Sequence, residues 1–197
     1  MKTNWKTRLE QIQDSALAIW RRYWLLRWTV ANMLAWSLAL VAAVLLLQLM
    51  GLWGAILGGA VAGAIAAFIQ SSTLVQIKSW TVSRKRWIIW GAVGGALATI
   101  PVYLLGFVAL FHAQIGLTMM GAMFGGIIGC VQYHLLQDDY HDAALWWVLA
   151  SIIGGMLCAP LTFTTALILP VIGSLGPVVF GLVTGWAIIT MNRQPAE

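Results

Sequence analysis

Six stretches of this chain are long, apolar and free of formal charge, and no other feature constrains its fold so strongly. They lie near residues 28–50, 52–77, 87–111, 114–136, 144–169 and 171–191, and none contains Asp, Glu, Lys or Arg. The hydrocarbon core of a bilayer is about 30 Å thick, which a helix of about 20 residues spans. A backbone placed in hydrocarbon must satisfy its own polar groups, and a helix does so within one segment. Each stretch is therefore expected to form a transmembrane helix. Of the 197 residues, 61% are hydrophobic and 9% charged. A soluble domain carries roughly 25% charged residues, and a chain this short cannot hide so much apolar surface in a water-surrounded core.

The charges set the expected orientation. Lys2, Lys6, Arg8, Arg21, Arg22 and Arg27 precede the first span; Lys78, Arg84, Lys85 and Arg86 follow the second; Arg193 follows the sixth. With six spans these fall on one side, which the positive-inside rule makes the cytoplasm. Glu10, Asp14, Asp138, Asp139, Asp142 and Glu197 fall there too, so both termini are expected to be cytoplasmic. The net charge of +5 is thus a topology signal, and nucleic acid is excluded as a partner, because no basic soluble face accompanies it. Residues 1–26 lack the apolar core and small-residue site of a cleavable signal, so the first span should direct insertion. Within residues 1–27, Trp5, Leu9, Ile12, Ala16, Ile19, Trp20 and Tyr23 recur at helical spacing. This predicts a separate amphipathic helix lying in the interface, ahead of a six-helix domain over 28–192 and a cytoplasmic tail over 193–197.

A period near 60 residues divides the domain into three hairpins, 28–78, 87–136 and 144–192. Trp28, Trp87 and Trp147 open the odd-numbered helices. Gly54, Gly116 and Gly176, then Gly59, Gly121 and Gly181, then Gly63, Gly125 and Gly185 recur in the even-numbered ones. Gln70, Gln132 and Asn192 close the pattern.

Several residues are candidates for specific roles. Gly59 with Gly63, Gly121 with Gly125 and Gly129, and Gly181 with Gly185 form small-residue stripes, which let helix backbones approach closely in lipid. They serve packing between hairpins of one chain or an oligomer interface; their presence in every hairpin favours the former. Gln70, Gln132 and Asn192 are expected to hydrogen-bond between hairpins, because an amide in hydrocarbon needs partners. His134 is a candidate ligand through neutral imidazole, against the plainer role of a hydrogen-bonded interfacial histidine. The loop Gln137 to Asp142 is read as a solvated linker in which Asp142 N-caps the fifth helix. It is also acidic where the preceding cytoplasmic loop is basic, so the two could pair. Trp5, Trp20, Trp24, Trp28, Trp87 and Trp147 gather at the cytoplasmic level, where an aromatic belt would anchor the protein. Pro101 and Pro160 lie inside helices and should kink them. The sequence designates no metal, cofactor, nucleophile–base pair or phosphate loop.

The pattern Gly63-x3-Ala67-x2-Gln70 and Gly125-x3-Gly129-x2-Gln132, with Trp87 before Gly94-Gly95 and Trp146-Trp147 before Gly154-Gly155, resembles multi-pass membrane proteins of uncharacterised function in cyanobacteria and filamentous phototrophic bacteria. The resemblance covers most of residues 52–191; Asn192, in place of Gln, departs from it. It implies a bacterial inner (plasma) membrane and no catalytic residue. The resulting expectation is a non-enzymatic accessory or scaffold subunit, or a homo-oligomer, acting through glycine-stripe packing in the bilayer with membrane-protein partners or itself. The alternative is a carrier or binding component for a small neutral or apolar solute. A cavity lined by Trp36, Gln114 and Thr162 would favour the carrier.

Overall fold

The computed structural model describes the backbone of residues 5–77, 80–168 and 175–192, and the side chains of these except at 5–14, 16–18, 20–22, 107–111 and 164–168. Among the described residues every regular element is helical. In chain order they are α1 (Trp5–Leu74), α2 (Arg84–Phe111), α3 (Ala113–Tyr140), a single 3-10 turn (His141–Ala144), α4 (Leu145–Ile168) and α5 (Leu175–Met191).

A straight helix of the length of α1 would run about 105 Å at 1.5 Å per residue. It does not, because Gly51 adopts φ 59° and ψ −133°. That backbone is open to glycine and costly to other residues. The chain reverses there into a first and a second arm. Gly54 abuts the Leu46 carbonyl and Gly58 abuts Ala43, and further along Gln70 Nε2 donates to Asn32 Oδ1 at 2.8 Å. A second reversal needs one residue, His112 (φ −139°, ψ 72°), between α2 and α3. There Gly94 faces Ile128 and Val131. The third connection is the 3-10 turn, entered through His141, which has φ 46°. Asp142 lies exposed within that turn rather than capping α4. The capping expectation fails because the turn continues directly into the helix. Pro101 and Pro160 are accommodated inside α2 and α4.

Among the described residues three stretches are long and apolar enough to cross a membrane: Tyr23–Leu74, Arg84–Gly106 and Ala113–Phe163. Their outward faces are aliphatic, including Leu34, Leu38, Val41, Leu45, Leu97 and Leu104. An exterior of this kind far exceeds the apolar patches of soluble monomers and suits lipid. The compact core lies at one end of the bundle, around Trp24, Trp28, Leu74, Trp87, Leu136, Trp147 and Met191. Residues 5–27 are not a separate element. α1 runs unbroken through them, because no Gly or Pro interrupts the chain before Gly51. No break in the helix marks the expected boundary at 27/28.

Candidate functional site

Two features fill the interior: paired small-residue stripes and a cluster of tryptophans. The stripes meet in three seams. In the first, between the second arm of α1 and α2, Gly63 lies against the Gly91 carbonyl and Gly59 against that of Gly95. In the second, between α3 and α4, Gly121 faces Gly155, Gly125 faces the Ser151 carbonyl, and Gly129 faces Ser151 and Val148. In the third, Gly181 of α5 lies on Thr29 and Asn32 of the first arm of α1, and Gly185 lies on Leu25 and Trp28. A Cβ at Gly181 would stand 2.9 Å from the Thr29 Cα, which no side chain can occupy without moving a backbone. All three seams lie within one chain, and the third closes the helices into a ring.

The tryptophans occupy the same end of each seam. Trp24 and Trp28 stack at 5.6 Å with an interplanar angle of 13°. Trp147 meets Trp28 edge-on at 6.2 Å and Trp87 at 5.7 Å. Trp87 in turn meets Trp80 at 5.1 Å. Edge-to-face indoles at these separations attract beyond their burial. Trp24, Trp28, Trp87 and Trp147 are only 2%, 0%, 1% and 1% exposed. This corrects the anchoring role expected of them: a belt tryptophan must reach the head groups, and these are enclosed by protein. Trp53, Trp90, Trp146 and Trp186 are the exposed indoles instead, with Trp146 and Trp186 in edge contact at 6.1 Å. The side chains of Trp5 and Trp20 lie outside the described residues.

Hydrogen bonds tie the indoles to the helices around them. Trp28 Nε1 donates to Thr184 Oγ1 at 3.1 Å, across the third seam. Trp147 Nε1 donates to Gln132 Oε1 at 3.1 Å, between α4 and α3. Trp24 Nε1 donates to the Thr73 carbonyl, joining the two arms of α1. Among the described residues Trp87 Nε1 is buried without an acceptor, as is Trp36 Nε1. Trp36 is wedged edge-on against Phe124 at 5.5 Å and Phe180 at 5.6 Å. Gln114 is exposed, and Thr162 lies 3.7 Å from Cys158 Sγ.

The three expected polar residues part company. Gln132 links α3 to α4. Gln70 bonds Asn32 within the folded-back α1, so it joins two arms of one hairpin rather than two hairpins. Asn192 Nδ2 donates to the Ile188 carbonyl of its own helix. His134 is exposed, with its ring beside its neighbour Tyr133 at 6.0 Å. Among the described residues no group of His, Cys, Asp and Glu could hold a metal. The basic and acidic loops do meet, through Thr81 Oγ1 donating to Asp139 Oδ2.

Asn32 and Thr184 escaped the sequence reading. Each lies close to a signal that was present: Asn32 follows Trp28 by four residues, and Thr184 stands beside Gly185 in the small-residue stripe of α5. Comparison with protein families, with curated proteins and with solved structures finds no match in any of the three.

Proposed function

We propose that this chain is a six-span, non-enzymatic protein of a bacterial inner membrane, with both termini cytoplasmic, built from three repeated hairpins and acting as an accessory or scaffold subunit. The observation that carries the reading is the content of the interior. Its centre is occupied by backbone-to-backbone seams and interlocked indoles, which are packing groups, and the recurring sequence positions are the ones that build them. The repeat supplies each seam from the even helix of one hairpin and the odd helix of the next. Because the stripes are spent within one chain, association with other membrane proteins falls to the exposed aliphatic and aromatic exterior, such as the Trp146–Trp186 pair.

A carrier for a small neutral solute is the second reading. Trp36 Nε1 and Trp87 Nε1 favour it, since an unpaired buried donor costs about 1–3 kcal/mol and a carbonyl ligand would relieve it. Purification in a gentle detergent followed by native mass spectrometry separates the two. The scaffold predicts stable partner proteins in fixed ratio. A stoichiometric small molecule with no protein partner would sink it and leave the carrier.

A further inference from the structure

Two arginines, Arg27 of the first arm of α1 and Arg84 at the start of α2, are held against the end of the second arm of α1. Arg27 Nη1 donates to Gln76 Oε1 at 3.0 Å, and its guanidinium sits 5.0 Å over the Tyr23 ring. Arg84 Nε donates to Ser71 Oγ at 3.0 Å, and its guanidinium sits 4.4 Å over the Phe68 ring. Ser71 is itself 1% exposed, so Arg84 is held by a buried hydroxyl. Ser71 lies in the last turn of α1 and Gln76 in the turn that follows its end at Leu74. Between them runs an exposed strip of Phe68, Ser72 and Val75, which continues toward the middle of the helix as Val61 and Leu57.

Among the described residues neither guanidinium has a carboxylate partner, and Lys85 and Arg86 stand exposed beside Arg84. Both arginines are fixed by neutral acceptors and aromatic faces that leave most of their donors free. A guanidinium presents five donors, and one is used in each case. Uncompensated cations at the end of an exposed apolar strip are half of an ion pair. The complement is an anion attached to hydrocarbon.

We propose that Arg27 and Arg84 form a binding site for an anionic phospholipid of the cytoplasmic leaflet. The phosphate lies over Ser72 and Val75 between the two guanidiniums, and an acyl chain follows Phe68, Val61 and Leu57. The site rests on the membrane reading given above. It adds lipid selectivity, which that reading does not require.

The test is native mass spectrometry of the full chain in neutral detergent with equal phosphatidylglycerol and phosphatidylcholine of the same acyl chains. The wild type is expected to retain one phosphatidylglycerol selectively. Arg27→Gln and Arg84→Gln should each weaken that retention about five-fold and the pair about twenty-five-fold, whereas Lys85→Gln with Arg86→Gln should matter less. Equal retention of both lipids, or an Arg27→Gln/Arg84→Gln protein that binds like wild type, overturns the proposal. So does displacement of the lipid by inorganic phosphate, which would mark a free-anion site. If the Gln pair does not fold, Arg27→Lys with Arg84→Lys replaces it: preserved charge predicts preserved selectivity, and lost selectivity overturns the site. Resistance of the protein to carbonate extraction from membranes tests the spanning reading separately.

Discussion

Trp147 and Trp87 are equally buried, yet replacement by phenylalanine should damage the first much more than the second. The loss of ring volume is common to both and costs about 1–2 kcal/mol in a packed core. Trp147 also donates to Gln132 at 3.1 Å, and Gln132 is 2% exposed. Removing the donor leaves a buried amide oxygen unpaired, for a further loss of about 1–2 kcal/mol. Trp87 Nε1 has no acceptor, so the folded state already bears its desolvation. Trp87→Phe deletes that unpaired group and recovers about 1 kcal/mol. Trp147→Phe is therefore expected to be less stable than Trp87→Phe by about 2 kcal/mol, roughly a thirty-fold difference in the unfolding equilibrium at 1.4 kcal/mol per decade. Reversible unfolding in mixed dodecyl-maltoside and dodecyl-sulfate micelles, followed by far-ultraviolet circular dichroism, measures it. If Trp87→Phe proves as damaging as Trp147→Phe, the assignment of which indole is bonded is wrong.

Four further substitutions are open to stability measurements of the same kind. Gly63→Val forces a side chain into the Gly91 backbone and should cost at least about 2 kcal/mol, whereas Gly106→Ala, with nothing within 4 Å, should gain about 0.5–1 kcal/mol. Gly51→Ala meets no neighbour either, so its cost, about 1–3 kcal/mol, comes from the backbone conformation alone. His141→Gly should stabilise by about 1 kcal/mol, seen as a higher melting temperature, because His141 holds φ 46°.

The helical elements and two of the chain reversals were legible because a bilayer leaves a chain few options. A run of about 20 uncharged residues becomes a helix, and Gly51 and His112 stand where such runs meet. What the tryptophans do was not legible from their position alone. Both a belt tryptophan and a core tryptophan sit at the end of an apolar run. What separates them is the face they share. Trp28 is followed by Asn32, Ala35 and Ala39, Trp87 by Gly91, Gly94 and Ala98, and Trp147 by Ala150, Ser151 and Gly154, all buried. A tryptophan at the head of a small-residue stripe points where the stripe points, toward another helix. The partner of each amide was hidden for a different reason. Gln70 meets Asn32 on the facing arm of α1, whereas Gln132 accepts from Trp147 on α4, and neither partner is near its amide in sequence.

That one chain closes on itself through the third seam is the claim on which the rest depends. A double-mutant cycle of Trp28→Phe and Thr184→Val tests it, since these residues are 156 positions apart and joined by one buried bond. The closed ring predicts a coupling of about 1 kcal/mol that does not change with the ratio of protein to detergent. Additive single effects, or a coupling that grows with protein concentration, would mean that α5 meets the first arm of α1 in another copy or not at all.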